Sequence, residues 1–252
     1  MERCFDGCNH TNGYVNIPIS LLSRFWVDDF DAFLSDIVCF GTATKQLFDI
    51  SPSGVLEPLS VAVEDNIDVL ENYISEWGTM DDFMFSVDYT REVYLDGIDV
   101  DEWTRKVKWV GITVCQLCKM ITGRNLISKA KRRRWEEAWI IYFGIKSVVG
   151  QKEYFQCSWD FILTRAMGFI SGDEYSQYKK SCNYEADWTT QFREKRKARD
   201  IMIQRLQDDH GVVYATHRPS KGEFIQSPQW SFNKSFTWVK KVHHSKGKKG
   251  TL

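Results

Sequence analysis

Five cations fall within seven residues in the segment Gln191-Phe-Arg-Glu-Lys-Arg-Lys-Ala-Arg: Arg193, Lys195, Arg196, Lys197 and Arg199. Ammonium and guanidinium groups at this density either form a solvated helix face or neutralise a polyanion, and arginine can also grip a guanine edge through two parallel hydrogen bonds. Arg218 and Lys221 follow within His217-Arg-Pro-Ser-Lys-Gly. Two other groups carry chemistry-bearing residue types. Cys4, Cys8 and His10, with Cys115-x2-Cys118, offer soft zinc ligands. The acids Asp28, Asp29, Asp31, Asp36, Asp81 and Asp82 are of the kind that hold Mg²⁺ in nucleic-acid enzymes. The Cys115/Cys118 pair lies in an apolar stretch of helical spacing, where thiols act as small hydrophobes. The carboxylates have no matched Lys, His or further acid at recognisable spacing. No phosphate-binding glycine loop, serine elbow or histidine triad pattern occurs. The expectation is therefore a binding protein with no catalytic residues, no metal and no cofactor.

Charge divides the chain. Residues 1–102 carry four Lys/Arg against 21 Asp/Glu, a net of −17, while residues 103–252 carry 29 basic and 13 acidic residues, a net of +16. Such asymmetry points to a nucleic-acid-facing region joined to an acidic one, or to two halves that neutralise each other across an internal interface. No apolar run approaches the roughly 20 residues that span a bilayer, so no membrane partner is expected. The start of the chain lacks the apolar region of a secretory signal, and seven scattered cysteines do not make a disulfide framework. Together these place the chain in the cytoplasm.

The elements that must position the cations follow from pattern. In residues 1–102, a mixed α/β region, Tyr14–Ser20 reads as a strand limited by Pro18, residues 20–40 as one or two helices, and 65–77 as an amphipathic helix. Alternation over Phe83–Tyr94 predicts strands. In residues 103–238, Val110–Ile121 reads as a helix stopped at Gly123. A strong helix follows the basic run 129–134 and is capped by Gly150; Tyr154–Cys157 reads as a short strand, and a helix begins after Ser158 and ends at Gly168. Residues 169–187 form a polar stretch, and one long helix covers 188–209. Strands Val212–Thr216 and Glu223–Ser227 close a hairpin with a six-residue loop. Residues 239–252 are a basic tail without core-forming residues, expected to be disordered.

The order helix, short strand, helix, long helix, β-hairpin resembles a winged helix-turn-helix domain, which implies an α+β fold with a winged-helix-like C-terminal region. The resemblance covers about 95 residues and rests on element order. It implies that the basic long helix enters the major groove of double-stranded DNA through Arg193, Lys195, Arg196, Lys197 and Arg199, with Arg218 and Lys221 on the wing against phosphates. The sequence departs from the pattern at 169–187, where the usual turn is only a few residues. Tyr14-Val-Asn-Ile-Pro-Ile-Ser-Leu-Leu also resembles the start of plasmid and phage replication initiators, in which a short strand containing Ile-Pro leads into the first helix.

The sequence thus points to a DNA-binding protein of regulator or replication-initiator type, with the acidic half available to a protein partner. Two alternatives stay open. One is an interaction or structural component assembled by the opposite charges of its halves; the other is a metal-dependent nucleic-acid enzyme. Oligomeric state is not legible.

Overall fold

Tyr14-Val-Asn-Ile-Pro places Val15 and Ile17 on one face of an extended segment, and Trp109-Val-Gly-Ile-Thr does the same with Val110 and Ile112. These four side chains are fully or almost fully buried where strand β1 (Tyr14–Pro18) pairs antiparallel with a strand made by Trp109–Thr113. The computed structural model describes residues 13–51, 54–95, 108–181, 187–217, 219, 221 and 225–239. Among these the fold is α+β, with helices predominant and three small antiparallel sheets.

After β1 a 3₁₀ turn (Ile19–Ser23) leads into α1 (Arg24–Val27) and α2 (Phe30–Ala43), the latter N-capped by Asp29, whose carboxylate accepts from the Ala32 amide. A two-stranded ribbon of β2 (Phe48–Ile50) and β3 (Leu56–Pro58) precedes α3 (Val61–Glu64), α4 (Ile67–Ile74) and α5 (Met80–Leu95). The strands expected over Phe83–Tyr94 are therefore wrong. Phe83, Val87 and Thr90 are buried at helical spacing, and the start is fixed by a reciprocal pair: the Thr79 amide and hydroxyl donate to Asp82 while the Asp82 amide donates to Thr79 Oγ1.

The helix expected over Val110–Ile121 is also corrected. Its first residues form β4 (Trp109–Thr113), and α6 (Val114–Leu126) starts only at a capping box in which Gln116 N donates to Thr113 Oγ1 and Thr113 N donates to Gln116 Oε1. The helix passes through Gly123, where the Trp135 ring lies 2.6 Å from the site a Cβ would occupy.

Helix α7 (Lys129–Val149) runs through the core, buried on every side from Glu136 to Ile145. It ends at Gly150 with positive φ, as the sequence predicts. Phe143 meets Phe33 of α2, and Trp135 meets Phe30 edge-on. Helix α8 (Trp159–Ala166) is capped by Ser158 and packs closely on α7 at Gly144, where a Cβ would come within 3.0 Å of the Ile162 carbonyl and Ala166 amide. The sign change at residue 102 is not a break in this core. β1 pairs with β4, and Arg124 and Arg132 form ion pairs with Asp31 across the charge divide.

The polar stretch after Gly168 contains a further helix, α9 (Gly172–Ser181), anchored by buried Tyr175. The single long helix expected over 188–209 is broken: α10 (Thr190–Glu194) and α11 (Arg196–His210) meet at Lys195, whose φ of −100° and ψ of 101° are extended. Gly211 closes α11 in the left-handed conformation. The last sheet joins β5 (Phe155–Gln156), β6 (Val213–Ala215) and β7 (Gln229–Ser231) in the order β5-β7-β6. Of the expected return strand Glu223–Ser227, residues 223 and 224 lie outside the described residues and 225–227 are not in a strand; the strand observed is 229–231. Burial decides the register: Trp230 is fully buried, stacks on Trp159, touches Tyr214 and donates Nε1–H to the Cys157 carbonyl, whereas Ile225 is exposed.

The C-terminus of α11 makes a pH-dependent contact with α7. His210 stacks on Tyr142 at 4.9 Å and meets Trp139 edge-on at 4.5 Å, and burial, followed by repulsion from Arg205 and Lys119, lowers its pKa to about 4. The unfolded chain binds a proton near the ordinary histidine value while the folded chain does not. Stability is therefore complete above about pH 6.5 and falls as pH drops towards 4. Urea unfolding should show about 2 kcal/mol less stability at pH 5 than at pH 7 from this group, and His210→Phe should remove that difference. An unchanged pH dependence in the variant would exclude the contact as its source.

Candidate nucleic-acid interface

The five cations of segment 193–199 separate in the fold. Arg193 turns inward: its Nη1 pairs with Asp160 at 3.3 Å, its Nε donates to Thr189 Oγ1, and its guanidinium lies 5.0 Å from the centre of the Tyr175 ring. It ties α10 to α8 and α9. Arg199 is half-buried, with its Nε 3.6 Å from Asp200. Lys195, Arg196 and Lys197 are exposed, the Arg196 side chain at 87%, and Arg196 makes only a long pair with Asp200 at 3.5 Å. Among the described residues neither Lys195 nor Lys197 has an ion-pair partner. Lys221 is exposed; Arg218 lies outside the described residues.

The break at Lys195 gives these three cations their setting. Lys195 is the N-cap of α11 and provides no side-chain cap, and the first turn holds no acid. The free amides at the helix start and the positive end of its dipole thus point where three cations gather, which favours an anion there. Helical spacing adds two residues that charge counting overlooks. Ile201 and Gln204 stand one and two turns after Lys197 on the same face; Ile201 is 60% exposed, and Gln204 donates to Asp208 at 2.9 Å. An amide and an aliphatic group on such a face suit an adenine edge and a thymine methyl. The available signal was the wheel of α11, which turns Ile201 away from Met202, Ile203 and Leu206.

No protein-family model, curated protein or solved structure matches this chain.

The other basic run, 129–134, is mostly consumed by structure. Arg132 pairs with Glu136 at 2.9 Å and Asp31 at 3.2 Å; Arg133 reaches Glu137 at 3.3 Å and covers the Phe25 ring; Arg134 pairs with Glu137 at 2.8 Å and donates to Gln191. Only Lys129 and Lys131 project into solvent from it with no ion-pair partner among the described residues.

Five of the six acids singled out in the sequence are likewise occupied. Asp28 and Asp36 bind Arg24, Asp31 binds Arg124 and Arg132, Asp29 caps α2, and Asp82 caps α5. Among the described residues no group of three or more His, Cys, Asp or Glu could hold a metal ion. Cys4, Cys8 and His10 lie outside the described residues, as does the tail 240–252. Burial pushes the thiols of Cys39, Cys118 and Cys157 up to about 12, so they are inert at neutral pH. No helix among the described residues is long and apolar enough to cross a membrane.

Proposed function

We propose that this chain binds double-stranded DNA through a winged-helix-like region in which α11 enters the major groove and the long β6–β7 connection serves as the wing. The observation that carries the reading is the uncapped start of α11, where Lys195, Arg196 and Lys197 are exposed together at the positive end of a helix dipole. Cations there are unfavourable unless an anion neutralises them. A phosphate backbone does so.

The sheet adds support. β5, which lies between α7 and α8 in sequence, pairs with β7, and β7 pairs with β6, a small antiparallel sheet that suits a winged-helix-like region. Helix α9 is an insertion between the second helix and the groove-entering one. Lys195, Arg196 and Lys197 take the phosphates at the groove entrance, and Lys221 on the wing adds another contact. Arg193 is a positioning residue that fixes α10 against α8, and Ile201 and Gln204 face the base edges. A regulator or a replication initiator would use such a module to hold its site.

The test is fluorescence anisotropy of a labelled duplex titrated with protein at about 50 and 200 mM salt. Three to five neutralised phosphates predict roughly a hundredfold loss of affinity between the two conditions. Affinity that does not change with salt, or no binding at the lower salt, would refute the reading.

A further inference from the structure

Helix α5 presents an outer face that none of the other described elements covers. Phe83, Val87 and Thr90 point into the core, and the opposite side carries Phe85, 75% exposed, and Tyr89, 58% exposed, one turn apart. Asp81, Asp88 and Glu92 lie on the same side by helical spacing. The surroundings are anionic. Over residues 13–95 the cations Arg24, Lys45 and Arg91 are each paired with an aspartate. Two aromatic rings framed by carboxylates on a solvent-facing helix are typical of a protein-binding surface rather than a solvated one.

The complement is on the same chain. α11 exposes Ile201 beside Lys197, with Lys195 and Arg196 at its start, an aliphatic group framed by cations where α5 has aromatics framed by acids. Both surfaces are open in one molecule, so they do not satisfy each other internally. We propose that the α5 face of one copy docks on the α11 face of a second copy. Such a contact joins two different surfaces, so each pair keeps one of each free and assembly runs head to tail. It is electrostatically steered and weakened by salt. Duplex DNA competes for α11, but the assembly does not depend on the DNA reading.

Sedimentation velocity of the full chain at about 100 μM and about 50 mM salt should show mass growing with concentration, and about 500 mM salt should return it to monomer. Phe85→Ser/Tyr89→Ser and Arg196→Glu/Lys197→Glu should each be monomeric at low salt, because each lacks one of the two faces. Both substitution pairs are on solvent-exposed side chains, and circular dichroism verifies that the variants are folded. Mixed together, the two variants should form a one-to-one dimer that grows no further, since the mixture holds one intact face of each kind. Phe85→Ser/Tyr89→Ser should keep the wild-type affinity for duplex, which separates this surface from the DNA face. A wild-type chain that stays monomeric at low salt would overturn the proposal; this is also the result expected if a different protein occupies α5. Persistent assembly in either variant, or a mixture that yields no dimer, would overturn it as well.

Discussion

Substituting glutamate for Lys195, Arg196 and Lys197 together lowers duplex affinity by at least about a hundredfold at moderate salt, and the slope of log affinity against log salt falls by about three. Three phosphate neutralisations disappear and three repulsions replace them. All three side chains are exposed, so the folded structure loses only the long Arg196–Asp200 pair and thermal stability should change little. Arg193 behaves in the opposite way. Arg193→Ala removes the pair to Asp160, the bond to Thr189 and the packing on Tyr175, so it loosens α10 and lowers the melting temperature. Anisotropy titrations at several salt concentrations, run beside thermal melts, separate the two effects. If the triple variant keeps the wild-type slope, α11 is not where phosphates bind.

That contrast shows where the sequence is legible and where it is not. The density of cations at 193–199 is visible from residue types alone, as are the caps at Ser158 and Gly150, because capping is decided by a few neighbouring residues. The inward turn of Arg193 depends on Asp160 and Tyr175 in other helices, and no local pattern announces it. The break at Lys195 is equally invisible to local pattern: the segment 188–209 has continuous helical character, while Phe192 on one side of the break and Met202 on the other are both buried in the core.

The errors have physical causes of the same kind. Phe83, Phe85, Val87 and Tyr89 alternate as a strand would, but Phe85 and Tyr89 are exposed and the true burial repeats at 83, 87 and 90. A local signal was present in Thr79-x-x-Asp82, which caps the start of the helix. For the hairpin, Ile225 has higher strand propensity than the residues around Trp230, and only the slot between Trp159 and Tyr214 selects the latter. The same limit applies to the basic run at 132–134. Its composition matches that of a polyanion site, and its geometry spends it on Glu136, Glu137 and Asp31.

Arg133→Ala/Arg134→Ala should therefore act on stability rather than directly on a ligand. Glu137 has a side chain only 3% exposed, and Arg133, Arg134 and the Gln191 amide surround its carboxylate. Burial alone already raises its pKa, and the two arginines oppose that rise. Without them an unpaired carboxylate is left in the core, at a cost of about 3 kcal/mol; the arginines are half-exposed, which puts the value at the lower end for a broken buried pair. The folded pKa of Glu137 then rises further above its unfolded value. The contribution of Glu137 to the double variant's stability should be complete below about pH 4.5, where the carboxyl is protonated in both states, and lost as pH rises through the raised folded value, so the deficit against wild type, which shares the His210 effect, should be smaller at pH 5 than at pH 7.5. Adding Glu137→Gln removes the buried charge and should recover most of the loss at neutral pH. Because Gln191 begins the segment that leads to Lys195, the double variant should also weaken duplex binding and the triple variant restore it. Urea denaturation at pH 5 and pH 7.5 checks the stability claim, and a double variant as stable as wild type at pH 7.5 would show that Glu137 does not need its arginines.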